Sequence, residues 1–191
     1  MCNSITMLSP LPKNFKGLIT ISGPTKSGKS QLAEFLIKDQ QSITYIATSK
    51  PRLNDSEWLR KINIHKKRRP DSWKLIENPQ DIFTAIESKN NDQSFLLDSL
   101  GGLVEQHLKD NLEDWESFQY NFINLLKKND YGIIVVTEEI GWGIVPATPI
   151  GHLFRERHSA LSLLISHNAT KKWLAINGMA IDLDKIGYLI P

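Results

Sequence analysis

The stretch GPTKSGKS occupies residues 23–30 and satisfies the pattern G-x-x-x-x-G-K-[ST] of a phosphate-binding loop. An apolar run, residues 18–21, precedes it, and a segment with helical spacing, residues 31–38, follows it. The motif requires this strand-loop-helix context, so we predict a phosphate loop rather than a chance match in a glycine-containing turn. The residues expected to contact the nucleotide here are Gly23, Pro24, Thr25, Lys26, Ser27, Gly28, Lys29 and Ser30.

The loop residues have separate expected roles. The glycines let the backbone wrap round phosphate oxygens, and the start of the following helix adds a positive dipole end. We expect Lys29 to act catalytically by meeting the β- and γ-phosphates, and the Ser30 hydroxyl to bind Mg²⁺. Asp98 follows the apolar run 95–97 and supplies the second predicted Mg²⁺ ligand. The alternative for Asp98, that it caps the next helix, stays open at this point.

Short apolar runs alternate with longer segments of helical spacing along the whole chain. The runs are rich in β-branched residues and lack strict polar alternation, which is typical of parallel strands covered on both faces. They span residues 18–21, 43–47, 95–97, 133–136 and 173–176, and the helical segments span 31–38, 56–67, 80–87, 115–128 and 150–166. Strands alternating with helices predict an α/β fold with a mostly parallel sheet.

Length and composition exclude several classes of protein. A chain of 191 residues favours one domain, and we predict an N-terminal extension over 1–16 and a single catalytic domain over 17–191. A net charge of +2 is too small to indicate a nucleic-acid or membrane partner. No apolar run reaches the 18 or more residues of a membrane span. The only cysteine is Cys2, which excludes an internal disulfide and favours a reducing compartment, so we expect a cytoplasmic protein.

A dense basic run, HKKRR, occupies residues 65–69 at the end of a predicted helix, just before Pro70. Helical spacing places Trp58, Ile62 and His65 on one face. A histidine there can attack an α-phosphorus while the neighbouring cations offset charge on the departing pyrophosphate. The alternatives are a solvated helix end and a surface that holds nucleic acid. Spacing alone favours these alternatives over a catalytic role for His65.

Several motifs, taken together in their order along the chain, indicate a protein family more specifically than the phosphate loop alone. They are the phosphate loop, YIATS at 45–49, RKINIHKKRRP at 60–70 with Trp73 and Glu77, LDSL at 97–100, and EIGWGIVP at 139–146. From about Leu18 onward, the chain resembles the bifunctional adenosylcobinamide kinase / adenosylcobinamide-phosphate guanylyltransferase family of cobalamin biosynthesis. The GWGIVP stretch is unusual outside this family.

The resemblance implies a fold, an activity and a set of site residues. It implies a RecA-like P-loop sheet with helices on both faces, a homotrimer, and a corrinoid substrate. The family phosphorylates adenosylcobinamide and then transfers GMP from GTP through a guanylylated histidine, which His65 matches, with ATP and GTP as substrates. Outside the loop, the implied GTP contacts are Thr48, Ser49, Lys66, Lys67, Arg68, Arg69, Glu77 and Asp98.

Some family positions differ here. A usual threonine is Gly101, an asparagine is Gln106, and the usual Asn-Glu pair is Glu138-Glu139; further along, Glu156, Ser159 and Ser162 also depart. These departures concern corrinoid handling and the balance of the two activities more than nucleotide binding.

Other interpretations stay open at this point. Trp142 either covers a flat ligand or packs into the core. His107, His152, His158 and His167 show no metal-ligand spacing and are interpreted as surface or core residues. The competing functions are a P-loop kinase for another alcohol and a nucleotide-dependent regulatory protein that grips nucleic acid.

Overall fold

The fold is built on one β-sheet. The computed structural model describes residues 8–52, 54–86, 92–128 and 130–190, and within these ranges it does not describe the side chains of Trp58, Lys61 and His65. The strands of the sheet are β1 (Gly17–Ser22), β2 (Ser42–Ala47), β3 (Lys74–Glu77), β4 (Gln93–Asp98), β5 (Gly132–Val136), β6 (Lys171–Ile176) and β7 (Met179–Asp182). They are ordered β3-β2-β4-β5-β1-β6-β7. All neighbours pair in parallel except β6 and β7, which are antiparallel.

Helices connect the strands. They are α1 (Lys29–Ile37), α2 (Ser56–Arg68), α3 (Ile82–Ile86), α4 (Leu100–Gln106), α5 (Leu112–Leu126), α6 (Pro149–Asn168) and α7 (Leu183–Ile186), with a 3-10 turn at Ile140–Trp142. Among the described residues, no helix is both long and apolar enough to cross a membrane.

The five predicted strands and five predicted helices are confirmed, with shifts of a few residues at the ends. Helix α3 starts later than predicted because the Asp81 side chain accepts hydrogen bonds from the Phe83 amide and the Thr84 hydroxyl and so precedes the first turn. Residue 87 of that prediction lies outside the described residues. The sequence did not predict β3 and β7 because these strands at the sheet edges are short and only partly buried.

Side chains of successive strand residues enter two separate cores, one on each face of the sheet. In β4, Phe95 and Leu97 join the core beneath α4, α5 and α6, whereas Leu96 joins the core beneath α1. Each fully buried side chain of this size contributes about 1.5–3 kcal/mol through the hydrophobic effect. The prediction of a mostly parallel sheet with helices on both faces is therefore confirmed.

The described part of the N-terminal segment packs against the α1 face. Leu8, Leu11 and Phe15 contact the core beneath α1. The Gln40 side chain holds the segment, since its amide donates to the Pro12 carbonyl at 2.8 Å and its oxygen accepts from the Phe15 amide at 3.1 Å. Residues 8–16 thus add to the core of the domain.

The topology sets the position of the site. Strands β1, β2, β4 and β5 are parallel and neighbouring, so their carboxyl ends meet at one edge of the sheet. Open α/β sheets bind ligands beyond this edge. The phosphate loop and Glu138 follow strands that end there, and Asp98 is the last residue of β4 at the same edge.

Candidate functional site

The phosphate loop joins β1 to α1 in a shape that depends on its glycines. Gly23 has a φ of +150°, and a Cβ there would lie 2.1 Å from the Ala175 carbonyl oxygen. Gly28 has a φ of +99° immediately before α1 begins. Both conformations disfavour residues with side chains, so the backbone can approach an anion closely only because glycine occupies these positions.

Lys29 is the first residue of α1 and lies at the centre of the site. Its side chain is buried, and its Nζ donates to the Pro24 carbonyl at 2.7 Å. Burial lowers the pKa of Lys29 below its usual value, and the negative charges of Glu138, Asp98 and Glu139 oppose that fall in pKa. The ammonium group therefore lies in the loop close to three carboxylates.

Asp98 ends β4 and is oriented by a tyrosine from the neighbouring strand. The Tyr45 hydroxyl donates to Asp98 Oδ2 at 2.5 Å. Burial raises the pKa of Tyr45 well above its usual value, and the adjacent Asp98 charge raises it further, so the hydroxyl keeps its proton. The N-cap of α4 is Ser99, with no side-chain capping bond. Capping of α4 is therefore not the role of Asp98.

The oxygen ligands of Asp98 and Ser30 suit a magnesium ion that the protein and the nucleotide bind together. Among the described residues, no group of three or more His, Cys, Asp or Glu side chains is arranged to hold a metal ion without help. Mg²⁺ is ordinarily bound through one or two carboxylates together with substrate phosphates. Asp98 and the Ser30 hydroxyl, which follows Lys29 at the start of α1, fit that requirement.

A cavity of about 130 Å³ lies between α2 and the ends of β2, β3 and β4. It brings together four predicted nucleotide contacts, namely Ser49, Arg69, Glu77 and Asp98, with Ile62 of α2 in its wall. The Arg69 guanidinium stacks 4.1 Å from the centre of the Tyr45 ring. These four predicted residues therefore share one cavity. We call it the α2 cavity.

The end of α2 is fixed to α1. Arg68 donates to both carboxylate oxygens of Glu34, at 3.0 and 3.1 Å. Burial raises the pKa of Glu34, while the bonds from Arg68 oppose the rise. Lys66 and Lys67 are exposed. Position 65 lies in α2 one turn after Ile62 and one turn before Arg69, and the side chain of His65 is outside the described structure.

Thr48 is fully buried and links the end of β2 to the start of α4. Its hydroxyl donates to the Ser99 carbonyl at 2.5 Å and accepts from the Ser99 amide at 3.1 Å. Gly102 passes so close that a Cβ there would lie 2.5 Å from the Thr48 hydroxyl oxygen. The structure thus gives this hydroxyl a structural role, and its contact with a nucleotide stays a prediction.

A cluster that the sequence did not predict is centred on Glu138, just after β5. Its carboxylate accepts from the Ser99 hydroxyl, from the Gly101 amide at 3.1 Å, and from His158 Nε2 at 3.0 Å. His158 is 1% exposed, which makes it a core residue. Burial alone raises the pKa of Glu138, but the bonds from His158, Ser99 and Gly101 outweigh it and the pKa is lowered.

Two departures from the family pattern meet in this cluster. A Cβ on Gly101 would lie 2.9 Å from Glu138 Oε1 and 3.2 Å from its other carboxylate atoms. Glu138 therefore occupies space that only a glycine at position 101 leaves free. The two departures are complementary in space, and Glu138 lies close to Lys29 of the phosphate loop.

The segment 140–146 forms an exposed apolar loop at the same edge of the sheet. Trp142 is 58% exposed and Ile144 is 96% exposed. Arg155 of α6 donates to the Gly141 carbonyl at 3.1 Å. Trp142 does not fill the core, so the packing interpretation is wrong, whereas a contact with a flat ligand stays a prediction.

Known proteins resemble this chain in sequence along most of its length. The family described as cobinamide kinase / cobinamide phosphate guanyltransferase matches residues 19–183. The bifunctional adenosylcobalamin biosynthesis protein CobU of Escherichia coli K12 is 26% identical over 181 residues, covering 87% of this chain and 99% of that protein. The bifunctional adenosylcobalamin biosynthesis protein CobP of Pseudomonas aeruginosa is 27% identical over 166 residues, covering 85% and 95%.

Solved structures resemble it in fold. An ATPase of a bacterial type III secretion system aligns with a TM-score of 0.54 and 10% identity, covering 91% of this chain and 59% of that one. The Pyrococcus horikoshii protein PH0250 aligns with a TM-score of 0.52 and 9% identity, covering 92% and 91%. The predicted RecA-like P-loop NTPase fold is confirmed.

Proposed function

Because the chain belongs to the cobinamide kinase / cobinamide phosphate guanyltransferase family, we propose that it phosphorylates adenosylcobinamide and then transfers GMP from GTP to the new phosphate. One observation supports this most strongly. The Lys29 ammonium lies inside the phosphate loop, where it donates to the Pro24 carbonyl at 2.7 Å, with Glu138, Asp98 and Glu139 close by. When a triphosphate binds in the loop, its oxygens can replace the Pro24 carbonyl as the hydrogen-bond partner of the Lys29 ammonium.

In the proposed kinase step, the loop amides and Lys29 hold the triphosphate. The substrate hydroxyl oxygen attacks the γ-phosphorus and loses its proton to solvent, while the bond between the γ-phosphorus and the β-phosphate oxygen breaks and releases the nucleoside diphosphate. Ser30 and Asp98 would hold Mg²⁺, which would neutralise charge on the transferring group. Tyr45 keeps the Asp98 carboxylate in one orientation. Positioning and electrostatics account for most of the catalysis in reactions of this kind.

In the proposed guanylyl step, the His65 imidazole attacks the α-phosphorus of GTP and pyrophosphate leaves. A phosphate oxygen of adenosylcobinamide phosphate then attacks the same phosphorus, which releases His65 and forms adenosylcobinamide-GDP. Covalent catalysis divides one difficult displacement into two easier ones. The α2 cavity supports this assignment, because Ser49, Arg69, Glu77 and Asp98 line it beneath the helix that carries His65. The basic residues Lys66, Lys67, Arg68 and Arg69 follow His65 directly.

The same proposal includes the domain organisation, the cellular location, the oligomeric state and the second substrate of the enzyme. Residues 17–191 act as one catalytic domain, in the cytoplasm, as a homotrimer. The second substrate is a corrinoid, and the exposed loop with Trp142 provides an apolar surface for it at the edge where the nucleotide binds.

The test uses the purified protein with Mg²⁺ and two labelled nucleotides. With γ-labelled ATP, label should pass to adenosylcobinamide. With α-labelled GTP alone, the protein should carry an acid-labile, base-stable GMP adduct, and adding adenosylcobinamide phosphate should move that label into adenosylcobinamide-GDP. Phosphorylation of another alcohol with no GMP adduct would contradict the proposal and favour a simple P-loop kinase.

A further inference from the structure

A second cavity adjoins the phosphate loop on the side away from α2. It measures about 720 Å³, within the range of small-molecule sites. One wall is formed by the loop and α1, through Ser27, Gly28, Gln31 and Phe35. The opposite wall is formed by the β6–β7 hairpin, through Trp173, Ala175, Gly178, Met179, Ala180 and Asp182. We call it the hairpin cavity.

The direction in which a triphosphate lies in a phosphate loop determines which end of the nucleotide faces this cavity. In such loops the lysine reaches the β- and γ-phosphates, while the backbone amides hold the α- and β-phosphates. Here the γ end faces the carboxylates near Lys29, which follow β4 and β5. The α end therefore faces the other flank of the loop, next to β6, where Ser27 and Gly28 line the hairpin cavity.

The walls of the hairpin cavity contain polar atoms that lack partners. Among the described residues, Ser27 Oγ, Trp173 Nε1 and Asp182 Oδ1 are buried and make no hydrogen bond. Ser27 is 5% exposed, and the Asp182 side chain is 11% exposed. Buried polar groups are ordinarily paired, so three such atoms in the walls of one cavity indicate a ligand that supplies partners.

The two atoms on the hairpin differ in hydrogen-bonding character. Trp173 and Asp182 lie directly opposite each other on β6 and β7, so their side chains share one face of the sheet. The indole Nε1 donates only, and the Asp182 carboxylate accepts. Asp182 Oδ2 is already bound to Lys171 at 2.6 Å, which leaves Oδ1 for a ligand. Phe35 and Leu32 add apolar surface on the other wall.

We propose that the hairpin cavity binds the purine base of the nucleoside triphosphate that donates its γ-phosphoryl group. A purine is flat and apolar on its faces, and its edge carries a donor beside an acceptor, which matches Asp182 and Trp173. This inference rests on the proposed function, because it places the phosphates of the donor in the loop. The two steps then use the same phosphate loop with the nucleotide in two different orientations. The base of the phosphoryl donor lies toward β6 and β7, whereas GTP in the guanylyl step must bring its α-phosphorus toward α2 and His65.

The experiment compares Mg²⁺-ATP with Mg²⁺-tripolyphosphate, which has phosphates but no base, by titration calorimetry. Ala180→Trp places a large side chain in the cavity wall. Ile181→Trp places the same side chain on the next residue of β7, which faces the opposite side of the sheet. Because base stacking and burial are lost, we expect Ala180→Trp to bind ATP at least ~10-fold more weakly and tripolyphosphate as the wild type does. Ile181→Trp should bind both ligands normally.

Unchanged ATP affinity in Ala180→Trp would overturn the inference while leaving the phosphate loop intact. If the wild type bound neither ligand, the proposed function would fail as well. Should Ala180→Trp lose both ligands through damage to the loop, Phe35→Ala decides the matter, since it removes an aromatic wall without adding bulk. Weaker ATP binding with normal tripolyphosphate binding in Phe35→Ala supports the base site, and normal binding of both overturns it.

Discussion

The contact between Gly101 and Glu138 predicts an unusual outcome for a glycine-to-alanine substitution in a helix. Alanine in place of a helical glycine ordinarily stabilises a protein by about 1 kcal/mol. In Gly101→Ala the new Cβ would lie 2.9 Å from Glu138 Oε1, and three hydrogen bonds hold that carboxylate in place. Overpacking of this kind costs about 1–3 kcal/mol. We therefore expect a net loss of roughly 1 kcal/mol in the free energy of unfolding, since the clash exceeds the helix-propensity gain.

Removing the Glu138 carboxylate should reverse the sign of the stability change that Gly101→Ala causes. In a Glu138→Ala background the atoms that clash are absent, so Gly101→Ala should stabilise the protein by about 0.5–1 kcal/mol. Urea unfolding of the four proteins at pH 7 measures the coupling, which we expect to be roughly 1.5–2 kcal/mol. Gly141→Ala is the matched control, because a Cβ there meets nothing within 4 Å. Equal effects of Gly101→Ala in the two backgrounds would refute the reasoning.

Three further predictions concern Lys29, Asp98 and Glu138. Lys29→Ala should lower both activities by at least ~100-fold in steady-state assays, because both steps need the charge that holds the phosphates; near-normal turnover in either assay would disprove the shared loop. Asp98→Asn should raise the Mg²⁺ concentration needed for half-maximal turnover, since the amide keeps the shape but loses the charge, and an unchanged Mg²⁺ titration would remove Asp98 from the metal site. The pKa of Glu138 is lowered in the folded state, so its contribution to stability is present above its unfolded pKa and is lost as the pH falls through the folded value. Glu138→Gln should therefore flatten the acid side of the stability profile measured by urea unfolding; an acid limb as steep as the wild type's would count against this.

Buried parallel strands were predictable because their residues are apolar on both faces. The run 133–136 is continuous and completely buried, so its composition alone indicates a central strand. Strand β3 gives no such signal, since three of its four residues are exposed at the sheet edge. Helix α4 carries Gly101 and Gly102, which have low helix propensity, and close packing against Thr48 and Glu138 explains why glycine lies there.

The parts of the site that consist of residues close together in the sequence could be predicted. The phosphate loop follows from eight consecutive residues, and Asp98 follows from its place directly after the apolar run 95–97, at the end of β4. The cluster of Ser99, Glu138 and His158 draws on three elements, and 20 residues separate the latter two. No spacing rule links such positions, so His158 had no partner in the sequence. The hairpin cavity was likewise not predicted, because β7 itself was not.

The central claim is that one phosphate loop serves two reactions that diverge at His65. The most direct measurement compares His65→Ala with the wild type and with His167→Ala, a control at an exposed histidine near the end of α6. Each protein receives α-labelled GTP to detect the GMP adduct, and γ-labelled ATP with adenosylcobinamide to detect phosphorylation. We expect His65→Ala to lose the adduct and keep measurable phosphorylation, because direct transfer of the γ-phosphoryl group needs no covalent intermediate. A GMP adduct at the wild-type level in His65→Ala would contradict the account.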